Sequence, residues 1–322
     1  MPKKTQLNKI FSLPKNLQKI FYRGAVFLLS CILIACSTTN QNISTPNPNK
    51  SNTPVSITSP SSPSSASRIV ALSPIAADII YELDKTKLVG MAGSSLLNQD
   101  GRFQTISRVS EGRTPPNLEK IIALKPDLAI VPEGFYQPQV QKLKELGVTI
   151  YSYNLNNWQS LEKLTQDIAN YLGVNAQPLL TRYESFLANK PGKETSTLVL
   201  TGTKPIISPN KNSWAGDILK QLNIKNVTAE LQGQSAFKGY VTLSAEKILE
   251  INPDVIILIN TPPAKADAAV ISDWQKESFW QNLKATKNNQ VYVFDYHGLI
   301  NAGSIDSIEK TLKRMNEVFS NL

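Results

Sequence analysis

One histidine and two cysteines are all this chain offers for imidazole or thiol chemistry: His297, Cys31 and Cys36. No thiol lies beyond Cys36, so most of the chain has no disulfide, no thiolate nucleophile and no cysteine metal ligand. There is no G-x-S-x-G elbow and no phosphate-cradling glycine loop, and only 15 of 322 residues are glycine. Zinc and manganese sites draw on several histidines or a histidine–carboxylate set. An enzyme activity, a resident cofactor and a directly bound metal are therefore not expected. What the sequence does offer is aromatic side chains in stretches that read as loops: Phe135, Tyr136, Trp214, Phe237, Tyr240 and Tyr296. They suit a flat or apolar organic ligand. His297 stands beside them in Tyr296-His297-Gly298.

Two carboxylates stand out by repetition. LEKIIALKPDLAIV at 118–131 recurs as AEKILEINPDVIIL at 245–258, with six of fourteen positions identical and an offset of 127. In each copy a capping residue (Asn117, Ser244) is followed two residues later by a Glu (Glu119, Glu246). A carboxylate in a helix's first turn gains about 0.3–1 kcal/mol from the macrodipole. That permits each Glu but does not explain why the whole unit recurs. A pseudo-symmetric pair of lobes does.

The elements around these residues read as βα units. Short apolar runs at 68–72, 88–91, 128–131 and 148–151 predict strands. Helical patterns fill 74–83, 117–124 and 138–146, and Ser73-Pro74 opens the first. The middle differs: 158–172 and 175–188 both carry helical periodicity with no strand between them. Alternation resumes with strands at 196–200, 254–259 and 291–294 and helices at 215–222, 244–251, 273–283 and 305–319. Strands alternating with helices imply parallel sheets with ligands at strand ends.

The first 67 residues belong to another category. Six bases and no acid precede residue 36, and removing that segment leaves 28 bases against 25 acids, a net +3 rather than +9. A nucleic-acid role loses its support with it. A short apolar run from Ala25 to Ala35 follows the basic stretch and ends in Leu33-Ile34-Ala35-Cys36. This is a secretory pattern, and its ending resembles the bacterial lipobox, with the cleavage point just before the cysteine and lipid on its thiol. Residues 37–67 are almost all Ser, Thr, Asn and Pro, too polar to offset the entropy of ordering. The expected organisation is a signal peptide over 1–35, lipidated Cys36 with a tether over 36–67, and a folded part from residue 68.

RIVALSP at 68–74, NLEKIIALKPDLAIV at 117–131 and SWAGDILKQLNIKNV at 213–227 resemble the iron-siderophore/cobalamin class of ABC-transporter substrate-binding proteins. The resemblance covers the chain from Arg68 onward. It implies a class III periplasmic-binding-protein fold of type α/β: a lobe over 68–174, a single long helix over 175–192, and a second lobe over 193–322. At about 1.5 Å per residue that connector spans about 20 Å and implies small opening motions. It also implies a monomer exported to the periplasm or cell exterior, lipid-anchored to the membrane, which delivers cargo to a two-subunit ABC permease. One Glu on each lobe docks into the permease in this class, and these map onto Glu119 and Glu246.

Arg113-Thr-Pro-Pro-Asn-Leu-Glu119 is similar to the corresponding stretch of ferric-hydroxamate-binding proteins, where the Arg contacts the iron-coordinating oxygens. A guanidinium offers fixed donors to such partly negative oxygens. The implied ligand is an Fe(III)-siderophore held by Arg113, Phe135, Tyr136, Trp214, Phe237, Tyr240, Tyr296 and His297. The ferric-hydroxamate-binding proteins also have a Tyr after a Gly in the next loop and a Trp in the second-lobe loop; here Gly134 precedes Phe135-Tyr136, and the loop reads Phe237-Lys238-Gly239-Tyr240. Cobalamin and haem remain open alternatives, the latter with His297 or a Tyr as axial ligand.

Overall fold

The computed structural model describes residues 65–322 apart from 113, 192, 193, 234 and 236. The expected signal peptide, Cys36, most of the tether and Arg113 lie outside the described residues. The chain is already held at Ala66, whose N–H donates to Tyr171 O at 2.8 Å.

The first lobe contains β1 (Ile69–Ala71), α1 (Pro74–Asp84), β2 (Leu88–Met91), α2 (Ser95–Asn98), β3 (Ser107–Arg108), α3 (Leu118–Ala123), β4 (Leu128–Pro132), α4 (Gln137–Glu145) and β5 (Thr149–Tyr153). Its five strands lie in the order β3-β2-β1-β4-β5, all parallel. Two helices follow, α5 (Trp158–Leu172) and α6 (Gln177–Phe186). The segment expected as the connector thus holds a 10-residue helix, and the longer rod of the passage is α5. Gly173 separates them: it caps α5 in the left-handed region at φ 70°, a conformation that costs glycine little.

The second lobe contains β6 (Ser196–Thr203), β7 (Ile206–Pro209), α7 (Trp214–Gln221), β8 (Lys225–Asn226), β9 (Tyr240–Thr242), α8 (Ala245–Ile251), β10 (Val255–Asn260), α9 (Asp267–Trp274), α10 (Lys284–Lys287), β11 (Val291–Asp295), α11 (Tyr296–Leu299) and α12 (Ile305–Ser320). Its central strands β11, β10, β6 and β8 are parallel, and β7 and β9 extend the sheet antiparallel beside the outer half of β6. The predicted helix over 273–283 is not continuous. α9 ends at Trp274, a 3-10 turn covers Trp280–Asn282, and α10 follows. The buried Phe279 and Trp280 explain the break, because they turn into the lobe core where an unbroken helix would have rotated them apart.

Strand alternation divides the core in three. Ile69 and Ala71 of β1 join the inner cluster, while Val70 and Leu72 join the outer one with Ile121 of α3 and Val140 and Leu143 of α4. In the second lobe Val255, Ile257 and Ile259 face inward, and Ile256 and Leu258 face outward against Ile248 of α8 and Trp274 of α9. The inner cluster runs through both lobes and includes α1, α5, α6, α7 and α12. One apolar core shared between lobes favours small relative motions over wide hinge opening.

The repeated phrase has the same geometry in both places. Asn117 Oδ1 accepts from Lys120 N, and Ser244 Oγ from Lys247 N. Ile121 and Ile248 are fully buried. Lys125 and Asn252 both adopt left-handed backbone, φ 46° and 41°, before their prolines. Asp127 then accepts from the N–H and hydroxyl of Ser67 at 2.7 and 2.8 Å, and Asp254 from those of Ser196 at 3.2 and 2.6 Å. The Pro-Asp of each copy thereby pins the foot of its lobe's first strand, β1 or β6, beside β4 or β10.

A charge cluster also ties the lobes. Arg102 reaches Glu82 at 2.5 Å, Asp100 at 2.7 Å and Asp306 of α12 at 3.0 Å. Arg182 of α6 reaches Asp306 at 2.7 Å and Glu309 at 2.8 Å. Beneath them lies Asp78 of α1, fully buried; its Oδ2 accepts from Ile305 N at the start of α12 (2.7 Å), and its Oδ1 lies 3.2 Å from Arg102. Burial pushes the Asp78 carboxyl up to about 6, against the opposing pull of the Ile305 N–H and Arg102.

Candidate ligand-binding cleft

A cleft of about 780 Å³ opens where strands from both lobes end. Its walls are the residues that follow β1 (Leu72–Ile75), β2 (Ala92–Ser95), β4 (Pro132–Tyr136) and β5 (Tyr153–Leu155) in one lobe, and β10 (Pro262, Pro263) and β11 (His297, Ile300–Ala302) in the other. Parallel strands leave such a crevice at their carboxyl ends, and the volume is that of a site for an organic ligand, about 300–1,000 Å³.

The first-lobe wall is built by close backbone approach. The N–H of Gly93 donates to Ser110 Oγ at 2.9 Å. A Cβ at Gly93 would lie 2.3 Å from Ser110 O and 2.6 Å from Gly112 N, so only glycine lets the 110–112 loop seat against it. That loop brings Glu111 and Gly112 to the cleft. Arg113 follows directly in sequence, outside the described residues. Opposite, Gly134 and Tyr136 both take left-handed backbone, φ 82° and 54°. Phe135 is 59% exposed at the lip, its ring 5.9 Å from that of the half-buried Tyr136. Burial raises the Tyr136 phenol above its usual range, so it stays protonated.

The cleft also holds a hydroxyl pair that joins Ser73, just past the first predicted strand, to Tyr153. The hydroxyls of Ser73 and Tyr153 are 2.6 Å apart. Ser73 also caps α1, accepting from Ala76 N at 3.3 Å. Tyr153 is almost fully buried and pushed up to about 12 by that burial, so the pair is a neutral hydrogen-bonding group. Tyr153 lies two residues past the predicted strand at 148–151 and ends the observed β5. Trp214 is only 4% exposed. Its indole N–H donates to Gly298 O at 2.9 Å, and its ring stacks on Trp158 of α5 at 6.2 Å and 17°. It presents an edge to the cleft and otherwise joins the lobes.

His297 lines the cleft from the second lobe. Burial pulls its pKa below the usual histidine value, so the imidazole is neutral at pH 7. Its Nδ1 is enclosed with no hydrogen-bond partner among the described residues, and the Tyr296 ring meets the imidazole ring edge-on at 5.4 Å. Tyr296 and Tyr240 are half-buried near one another, both phenols raised by burial, and neither lines the cleft. Phe237 is 60% exposed and also lies outside the lining. Of the expected ligand residues, the structure therefore brings together Phe135, Tyr136, Trp214 and His297. Among the described residues the charged lining groups are Glu111 and Glu133, and the rest is apolar, hydroxyl or amide. No three His, Cys, Asp or Glu among the described residues gather as a metal site.

Glu119 and Glu246 lie outside the cleft lining, in the exposed first turns of α3 and α8. Each helix runs back toward the feet of the strands, so each Glu lies at the cleft end of its lobe. Neither makes an ion pair with a described residue. The Glu246 carboxyl is held below its usual range by its own backbone N–H and the Ser244 hydroxyl.

Residues 69–296 match the periplasmic binding protein family. The chain belongs to that family. Similar members include a putative ABC transporter substrate-binding lipoprotein of Bacillus subtilis, 28% identical over 84% of this chain and 88% of its own. An Fe(3+)-citrate-binding protein of the same organism is 26% identical over 90% and 93%. Among solved members, the periplasmic vitamin B12 binding protein of Vibrio cholerae superposes with a TM-score of 0.58 at 22% identity, covering 80% of this chain and 97% of that one. At that identity the likeness establishes the shared periplasmic-binding-protein fold.

Proposed function

We propose that this chain is the substrate-binding component of an ABC importer, capturing a ferric siderophore of hydroxamate or citrate type between its lobes and delivering it to a two-subunit permease. The observation that carries the reading is the cleft itself. It draws on the carboxyl ends of strands from both lobes, has the volume of an organic chelate's site, and is lined by Phe135, Tyr136 and the Ser73–Tyr153 hydroxyls. In this reading Arg113 supplies the guanidinium that meets the iron-coordinating oxygens. Phe237, Tyr240 and Tyr296 join the ligand only as the lobes close. Glu119 and Glu246 dock the two lobes to the permease, and lipid on Cys36 holds the exported protein at the membrane. The protein acts by binding and release, not by catalysis.

A second reading, a cobalamin or haem receptor of the same family, is favoured by His297, a neutral imidazole at the cleft wall. The two separate in a tryptophan-quench titration with ferric hydroxamates, ferric catecholates, ferric citrate, haem and cobalamin. Trp214 at the cleft, stacked on Trp158, supplies the signal, while Trp274 and Trp280 lie in the outer core of the second lobe. Saturable submicromolar quenching by a ferric hydroxamate or citrate, lost in Trp214→Phe, is the expected result. Such binding to haem or cobalamin alone would sink the siderophore assignment.

A further inference from the structure

Ile122 and Leu249 occupy equivalent positions of the repeat, 127 residues apart, three residues after Glu119 and Glu246. They are exposed by 42% and 40%, while Ile121 and Ile248 just before them are fully buried. Residues three apart on a helix share a face, so each lobe presents a carboxylate and an aliphatic side chain together at its outer surface. Helix formation does not ask for Ile or Leu there, since an exposed position favours Ala, Lys or Glu at least as well. A single exposed apolar residue needs no explanation. The same choice made twice, at matched positions with matched backbone, does.

We infer that Ile122 and Leu249 are apolar anchors of the partner-docking surface, each seated beside its Glu in one of two equivalent membrane subunits. The inference rests on the proposed permease docking and adds to it the kind of pocket the partner must carry: a cation for the carboxylate with an apolar wall one helical turn away. Duplicated, pseudo-symmetric points fit a partner with two-fold or near two-fold symmetry, and interfaces place apolar contacts at their centre with polar groups around them.

The test places p-benzoylphenylalanine, one position at a time, in place of Glu119, Ile122, Glu246 or Leu249 in the full chain produced in its own cells. Leu146, an exposed apolar residue outside the repeat, is the control. Light-dependent adducts at 122 and 249 with one integral-membrane protein, or two homologous ones, and none at 146, are expected. Ile122→Ser with Leu249→Ser should lower recovery of that membrane protein with the receptor by about tenfold or more, with an unchanged thermal midpoint. Adducts at 119 and 246 without any at 122 and 249 would remove the apolar anchors and leave the carboxylate docking standing. Adducts to a second copy of this chain, or to lipid alone, would overturn the inference by naming another occupant. No membrane-protein adduct at any of the four positions would remove the docking reading as well.

Discussion

Asp78→Asn should change how stability depends on pH, and the size follows from where Asp78 sits. The carboxyl is fully buried under the Arg102–Asp306 cluster and raised from 3.8 to about 6. The groups facing it are Glu82 on its own helix, Arg102 in the turn after α2, and Asp306 on α12. A group whose folded pKa lies above its unfolded value binds more protons when folded, so stability falls as pH rises between the two. The full difference amounts to about 3 kcal/mol above pH 7, of which about 2 kcal/mol develops between pH 4.5 and 7.5. An amide keeps the acceptor for Ile305 N–H but cannot ionise. The free energy of urea unfolding of Asp78→Asn minus that of wild type should therefore rise by about 2 kcal/mol over that window. Taking the difference cancels the opposite trend of carboxylates held low, such as Asp100 and Glu309. A flat difference, or one that falls as pH rises, would mean that attraction to Arg102 outweighs burial and that the reasoning is wrong.

Three further outcomes follow from geometry. Gly93→Ala must push the 110–112 loop off its seat, and should cost about 1–3 kcal/mol of unfolding free energy as overpacking and weaken ligand quenching. Arg113→Ala should lower affinity for a ferric hydroxamate at least about tenfold, the loss of a charge-assisted contact, with an unchanged melting temperature; unchanged affinity would take Arg113 out of the site. Glu119→Ala with Glu246→Ala should abolish iron uptake in cells while quench titrations match wild type. Persistent uptake with ligand still bound would exclude docking through these residues and favour a non-transport sensor.

Much of the framework was readable because it is local. The periodicity of 158–172 matches α5 end to end, and the repeat located two equivalent βα units before any coordinates. What was missed depends on distant partners. β9 exists by pairing with β7, about 30 residues earlier in the chain, and so places Tyr240 in a strand rather than a cleft loop. The break after α9 is set by where Phe279 and Trp280 must be buried. Tyr153 lies two residues beyond the predicted strand, and nothing local marks it until Ser73, 80 residues away, meets its hydroxyl. Loop aromatics cannot be sorted by sequence into those facing a ligand and those facing a core. Trp214 does both, and Phe237 is exposed outside the cleft lining.

The hydrogen bonds from Ser67 to Asp127 bear on reach. They fasten the chain to the foot of β1, whereas the cleft and Glu119 lie at the opposite end of the same lobe. In the proposed function, a lipid on Cys36 would reach the fold through Ser67, at the end of the lobe away from the cleft and Glu119. Twenty-nine residues lie between Cys36 and Ala66, which sets the greatest span they can bridge at about 100 Å. In the proposed lipid-anchored reading, that span lets the cleft face the membrane, and shortening it would compromise delivery before it touched capture.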